Sequence, residues 1–282
     1  MMNLIKEIEN TYDEMTESHK KVATYVVHNS QDAAFLTLEE MAERIGVSTT
    51  TIIRFARSLG FNGYTDFLEH VQKYIRAKVG LPERLHVAVD NMDYDDLLLQ
   101  TFNQDVSNIQ ATLQTLSSEK LAATIDMIMS AKTIYVIGLR SSFCMAHYFA
   151  TALGQIRENV RLIEAVGATY PEEIISVKEN DLCIAFSFPR NARVTLEVTR
   201  WMKSEGVKVI AVTNSVLSPM SEIADLLLPC EVKGVLFKAS PAAPMSLINY
   251  IIASVATRDK EGAYNMLSKT EKLLRQGHYF AT

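Results

Sequence analysis

The chain has 282 residues, more than one typical domain and comfortable for two. Its 48% hydrophobic and 22% charged content is that of an ordinary globular protein, which excludes wholesale disorder, and no apolar run approaches the roughly 18 residues of a membrane span. The formal charge of −5 argues against a uniformly basic nucleic-acid binder, yet residues 1–43 carry three Lys/Arg against nine Asp/Glu while residues 44–84 carry seven against three, so a cationic footprint can be confined to one face.

The opening residues Met1 to Glu9 are acidic early and lack an apolar stretch, so no secretory signal is expected. Up to residue 78 the pattern is helical with short breaks. Val22, Ala23, Val26 and Val27 recur at helical spacing and predict an amphipathic helix near 16–29, ended by Asn29 to Asp32. Thr37 with Glu40 three residues on is a capping box for a helix that runs to Ile45 and stops at Gly46. Ser48 is a good N-cap for a further helix, Thr49 to Leu59, ended by Gly60. A fourth, near 64–78, is expected to bury Phe67, Leu68, Val71 and Tyr74 or Ile75.

The pair of helices around Gly46 has the logic of a helix-turn-helix. Met41 and Ala42 face inward from the first helix, Gly46 makes the turn, Val47 plugs the space beneath, and Ile52 and Phe55 bury the inner face of the second. Thr49, Thr50, Ile53, Arg54 and Arg57 are left for the outer surface, where hydroxyls suit phosphates and base edges and arginines suit guanines or phosphates. The candidate DNA-binding set is Ser48, Thr49, Thr50, Thr51, Arg54 and Arg57. From spacing alone an ordinary helical hairpin with solvated arginines stays open, because such patterns are degenerate. The run Ser48 to Phe67, with its Ser-x-x-Thr-hydrophobic-x-Arg-Phe helix followed by Leu-Gly-Phe-x-Gly-aromatic-x-x-Phe, closely resembles the N-terminal domain of RpiR-type regulators. The resemblance implies a DNA-binding domain over residues 1–78.

Gly80-Leu81-Pro82 marks a boundary, and residues 79–106 are assigned to a linker (79–92) and a connecting helix. The text is helical from Asp93 to Ala131 with a break at Ser117-Ser118. From 133 short apolar runs (133–137, 160–163, 181–186, 207–212, 224–228) alternate with four segments that look helical, and helices near 241–258 and 260–276 follow. This rhythm predicts an α/β three-layer domain with a parallel sheet buried on both faces, so the fold class is an all-α helix-turn-helix domain followed by a flavodoxin/Rossmann-like one over 107–282.

Three strands in that domain end in polar loops. The first runs into Gly138, Arg140, Ser141 and Ser142, the third into Ser187, Arg190 and Asn191, and the fourth into Thr213, Asn214 and Ser218. A strand-to-helix loop of free amides, hydroxyls and guanidinium groups is a natural anion site, and ligands bind at that edge of an open parallel sheet. Turn residues populate any loop, so one such loop alone is uninformative. The three together are similar to a SIS (sugar isomerase) domain, which follows the helical domain in RpiR regulators. Where many SIS domains have a second glycine this chain has Arg140, and where many have Ser-x-Ser-Gly-x-Thr it has Ser187 to Ala192, so it looks like a subgroup with a Phe-Pro-Arg loop. Two arginines still favour an anion.

The reading is a cytoplasmic transcriptional regulator, a homodimer or tetramer, that binds a double-stranded DNA operator under control of a phosphosugar, sugar acid or similar carbohydrate derivative. No catalytic residue, cofactor, metal or membrane contact is expected. A sugar-phosphate isomerase and a ligand-independent regulator are the alternatives; His147 and the Glu172-Glu173 pair are the thin candidates for a base, the latter placed in a helix's first turn where the dipole favours acid. Met127, Met129 and Met145 read as core fillers. Cys144, Cys183 and Cys230 form no C-x-x-C pair and are expected to be small buried hydrophobes rather than zinc ligands or disulfides.

Overall fold

The computed structural model describes residues 8, 11–78, 82, 85, 86, 89, 96–215 and 218–277. The chain divides into two compact units, Met1–Asn91 and Met92–Thr282. Of the expected linker 79–92, only residues 82, 85, 86 and 89 are among the described residues.

In the first unit, α1 (Glu17–His28), α2 (Ser30–Ala33), α3 (Leu38–Ile45), α4 (Thr49–Ser58) and α5 (Tyr64–Lys78) follow one another closely. Local chemistry sets their ends. The Thr37 hydroxyl accepts the Glu40 amide at 3.2 Å and the Glu40 carboxylate accepts the Thr37 amide at 2.8 Å, the full reciprocal box. The Thr37 amide and hydroxyl hold the Glu40 carboxyl below the usual carboxylate range. Thr37→Ala should therefore destabilise the unit by about 1 kcal/mol, read as a lower midpoint in denaturant; an unchanged midpoint would show that tertiary packing alone sets this end. Gly46, at φ +71°, turns its amide back onto the carbonyls of Ala42 and Glu43.

The core of this unit gathers Val22, Ala23, Val26, Met41, Ile52, Phe55, Phe67 and Val71. Phe67 sits edge-on to Phe55 at 5.7 Å and to Phe61 at 5.6 Å. On α5, Phe67 and Val71 are buried as expected and Leu68 is half-buried, while the side chains of Tyr74 and Ile75 lie outside the described set. Tyr64 donates its hydroxyl to the Leu36 carbonyl at 2.8 Å, and burial pushes its phenol up to about 12.

The second unit begins with α6 (Leu97–Thr115) and α7 (Ser118–Ser130). α6 is continuous through residue 107, where the sequence reading starts the effector domain. Five strands follow, β1 (Ile134–Ile137), β2 (Val160–Ile163), β3 (Leu182–Ser187), β4 (Lys208–Thr213) and β5 (Leu226–Pro229), all parallel in the order β2-β1-β3-β4-β5. This is a flavodoxin-like order, and its topological switch point lies between β1 and β3. β1 and β3 are buried along their whole length, as apolar runs without alternation require.

On one face Ile134, Val136, Ile184, Phe186, Ile210 and Val212 meet α7, α8 (Phe143–Gly154) and α11 (Ala242–Arg258). On the other, Tyr135, Ile137, Cys183, Ala185, Val209 and Ala211 meet α9 (Tyr170–Ile174) and α10 (Arg193–Ser204). α12 (Lys260–Gln276) follows. Met145 is buried and Met127 and Met129 pack against the first of these cores, as expected.

Two expectations are corrected. The fourth crossover, between β4 and β5, carries a short 3-10 turn, Pro219–Glu222, in place of an α-helix; only residues 214–225 connect the strands, and Pro219 offers no amide donor. Cys183 and Cys230 are buried, but Cys144 is exposed on the outer side of α8, its thiol toward the Ser141 carbonyl at 3.2 Å. Met145, Ala146, Phe149 and Ala150 claim the inner face of that helix.

Candidate DNA-reading helix and effector site

On α4, Ile52, Phe55 and Ala56 are buried, which fixes the rotation of the helix and leaves Thr50, Arg54 and Arg57 exposed. Thr49, Thr51 and Ile53 are partly covered. Ser48 caps the helix by accepting the Thr51 amide at 3.1 Å, and the two hydroxyls lie 2.8 Å apart. Ser48 and Thr51 are thus engaged in the cap, and Thr50, Arg54 and Arg57 stand exposed on this helix. An open depression of about 440 Å³ also lies in this unit, lined by Tyr12, Lys20, Lys21 and Arg44 among others, with no residue of α4 in its wall.

In the second unit the sequence-predicted effector residues fall at the carboxyl ends of β1, β3 and β4. Gly138 leaves β1 with no room for a side chain: a Cβ there would sit 2.8 Å from the Ser142 carbonyl oxygen and 3.0 Å from the Phe186 Cβ. This lets the loop turn tightly through Arg140, Ser141 and Ser142 into α8. Arg140 adopts φ +58° and Arg190, in the loop after β3, φ +70°. Both are left-handed, a conformation that costs a non-glycine residue about 1–2 kcal/mol. At Arg140 the backbone has a left-handed geometry that favours glycine, with a guanidinium mounted on it. Arg140→Gly should stabilise the unit by up to about 1 kcal/mol of relieved strain, read as a higher melting point, while reducing stabilisation by anions; a lower melting point would show that the arginine side chain is structural.

Ser187 and Thr213 are register partners at the ends of β3 and β4. The alternation of each strand puts both on the α10 face, with Cys183, Ala185, Val209 and Ala211. The Ser187 hydroxyl donates to Asn191 Oδ1 at 2.7 Å. The Thr213 hydroxyl, fully buried, has no hydrogen-bond partner among the described residues, and neither does Ser218, which is also buried. Asn214 is half-buried beside them. A third orphan is Thr195 in the first turn of α10, a residue the sequence reading omitted. Its spacing to Val198 and Met202, three and seven residues on, places it on the inner face of α10, and that was the available signal.

The opposite edge of the sheet is different. The Asp181 carboxylate accepts the amides of Thr133 and Lys178, at 3.1 and 2.9 Å. Asp225 accepts the Val209 amide at 2.8 Å and the Lys203 ammonium at 2.5 Å. Burial pushes the Asp225 carboxyl up, but Lys203 and Val209 outweigh it and hold it below its ordinary value. At the amino edge of the strands the buried Asp181 and the exposed Asp225 are thus both satisfied, while the buried hydroxyls of Thr195, Thr213 and Ser218, at or just beyond the carboxyl edge, have no partner among the described residues. A buried hydroxyl without a partner costs about 1–3 kcal/mol. Of the candidate bases, the Glu173 carboxylate is held by the amides of Glu164 and Ala165 at 2.9 and 3.0 Å, and His147 is exposed with its ring 5.8 Å from that of Phe143. No group of three or more His, Cys, Asp or Glu able to hold a metal occurs among the described residues.

A helix-turn-helix unit joined to a parallel α/β domain with these loops defines a transcriptional regulator carrying a SIS-type domain. The model of the rpiR-family helix-turn-helix domain matches residues 2–78, and that of the SIS domain matches residues 127–234. The chain thus carries an rpiR-family helix-turn-helix domain and a SIS domain. It is 28% identical over 220 residues to the HTH-type transcriptional regulator YfhH of Escherichia coli, covering 75% of this chain and 76% of that one. It is 24% identical to the regulator HexR of Pseudomonas aeruginosa, covering 81% and 79%. The sugar isomerase domain of an RpiR transcription factor from Sphaerobacter thermophilus superposes with TM-score 0.61 at 26% identity, over 63% of this chain and 99% of that one. The Vibrio vulnificus NanR protein, solved in complex with ManNAc-6P, shares the fold along 99% of this chain and 100% of its own, with TM-score 0.62 at 20% identity.

Proposed function

We propose that this regulator binds a small anionic metabolite, a phosphosugar or sugar-acid derivative, at the carboxyl edge of β1, β3 and β4, and that occupancy controls its affinity for a double-stranded operator. The observation that carries the reading is the set of three buried hydroxyls, Thr195, Thr213 and Ser218, that have no hydrogen-bond partner among the described residues, in a unit whose buried Asp181 carboxylate is satisfied at the other edge. A polyol offers such hydroxyls the partners they lack, and Arg140 and Arg190 offer bidentate contact to phosphate or carboxylate. The ligand of NanR is of this class. Gly138, Ser141, Ser142, Ser187, Asn191 and Asn214 complete the proposed site. A coupling free energy of about 1–3 kcal/mol between the two sites is enough for a switch. The protein acts in the cytoplasm as a homo-oligomer whose paired α4 helices read a pseudo-palindrome.

The test is a thermal-shift titration of the full chain with phosphosugars, sugar acids and plain phosphate. A ligand at 100 times its Kd should stabilise the unit by about 2.7 kcal/mol. Arg190→Ala should abolish that shift while operator binding in the absence of ligand persists. A normal shift in Arg190→Ala overturns the site. Catalysis is not part of the reading: Glu173 is occupied by two backbone amides and His147 faces solvent, and turnover of a candidate sugar phosphate by the purified protein would reverse this.

A further inference from the structure

α6 is seated on its own unit by polar groups. Of its nineteen residues only Asn108 and Thr112 are buried, at 1% and 4% exposure. A helix held for stability alone would bury an apolar stripe there. Three of its hydrogen bonds run instead to the segment 230–241 between β5 and α11, 119 to 135 residues further along the chain. The Asn108 amide donates to the Lys233 carbonyl at 2.7 Å, the Thr112 hydroxyl accepts the Glu231 amide at 2.9 Å, and the Ser240 hydroxyl donates to the Asp105 carboxylate at 2.5 Å. Asp105 is the one charged residue of the helix. Each such bond contributes only about 1 kcal/mol net, but each is directional, so together they define one setting of the helix on this segment.

The segment is stiff. The Ser240 amide donates to the Val232 carbonyl at 3.1 Å and closes it into a loop. Inside that loop a Cβ on Gly234 would sit 1.8 Å from the Lys238 carbonyl oxygen, so the two limbs touch. The Ser240 hydroxyl also accepts the Ala242 amide at 3.2 Å, at the start of α11. A displacement at one end is therefore carried to the other rather than absorbed.

The near end of the segment is tied to the effector edge of the sheet. β4 and β5 pair from Ile210 with Leu226 to Thr213 with Pro229, and the Cys230 amide extends the ladder by donating to the Thr213 carbonyl at 2.7 Å. Thr213 is the strand residue whose buried hydroxyl has no partner among the described residues. Two consecutive amides, of Cys230 and Glu231, thus hold Thr213 on β4 and Thr112 on α6. α6 is about 28 Å long at 1.5 Å per residue, and it begins at Leu97, close in sequence behind Asn91, the last residue of the unit that carries α4.

We propose that this polar seat is the switch contact of the regulator: occupancy at Thr213 resets the Cys230 and Glu231 amides, α6 changes its setting on the segment 230–241, and operator affinity follows. The source of the signal rests on the effector reading above, but the seat itself is tested without any small molecule. Weakening bonds that belong to one setting transfers population to the other.

The affinity of the full chain for double-stranded DNA that it selects from a random library is measured with no small molecule present. Thr112→Val removes the acceptor of the Glu231 amide in a nearly isosteric side chain and should change that affinity by about tenfold. Asn108→Leu should change it in the same direction, and Thr112→Ser, which restores the acceptor, should return it to the wild-type value. Thr199→Val is the control for lost stability: it removes the hydroxyl bond of an equally buried threonine on α10, off this path, and should leave the affinity unchanged. Circular dichroism and melting curves show which variants are folded at the assay temperature. Should Thr112→Val not fold, Ser240→Ala, at a half-buried position, carries the same expectation. Wild-type affinity in the folded seat variants, or an equal change in Thr199→Val, overturns the switch contact. Failure of the effector site has a different signature, a normal ligand-induced thermal shift in Arg190→Ala.

Discussion

Arg54→Ala should weaken operator binding by about 1–3 kcal/mol for each recognition helix that loses a base contact. On a palindromic site read by two copies the loss doubles to about 2–6 kcal/mol, tens-fold to about ten-thousand-fold in affinity. The fold should not change, because Arg54 projects from α4 on the side away from Ile52, Phe55 and Ala56 and takes no part in the core. The pattern of the loss identifies the contact. If Arg54 reads a guanine, discrimination relaxes at one position of the site while the salt dependence barely moves. If it binds a phosphate, affinity falls uniformly across sequences and the salt slope drops by about one per contact. Binding curves on the operator and on scrambled DNA at two salt concentrations separate these outcomes. Undiminished operator binding would show that the exposed face of α4 is not the reading surface.

What was legible in the sequence was local. Thr37 with Glu40, Gly46 and Ser48 act within four residues of themselves, and the structure has the capping box, the left-handed turn and the N-cap at those positions. The central strands were legible because a sheet buried on both faces needs unbroken apolar runs, and Val209 to Val212 or Ile134 to Ile137 cannot be satisfied elsewhere. The features missed depend on partners distant in sequence or on backbone geometry. The exposure of Cys144 follows from which face of α8 meets the sheet, and its neighbours Met145 and Ala146 left the rotation ambiguous by one position. The 3-10 turn at Pro219 replaced a helix because the end of β4 and the start of β5 lie too few residues apart, a limit set by strand length. The left-handed backbone of Arg140 and Arg190 had no signature, since that conformation usually announces itself through glycine or asparagine. Thr195 was hidden because the buried face of α10 carries two hydroxyls, Thr195 and Thr199, beside Val198 and Met202, and the pattern does not distinguish the one without a partner.

Thr213→Val should stabilise the unliganded protein by about 1–3 kcal/mol and at the same time weaken the effector-induced thermal shift. The side chain is fully buried at the end of β4, and its hydroxyl finds no partner among the described residues. Valine fills nearly the same volume, so the substitution removes the cost of an unsatisfied buried group with little packing penalty. Thr199 is the natural control. It is equally buried, but its hydroxyl donates to the Thr195 carbonyl, so Thr199→Val should lose about 1 kcal/mol and leave the ligand response alone. The two buried threonines differ in whether the hydroxyl is already engaged. A gain in melting temperature together with a lost response at position 213 would mean that the carboxyl edge of the sheet holds a stability cost because it binds something, the trade expected of a functional site. A loss of stability at 213 would mean that its hydroxyl is engaged in the folded protein, and the set of orphan hydroxyls would no longer argue for a ligand.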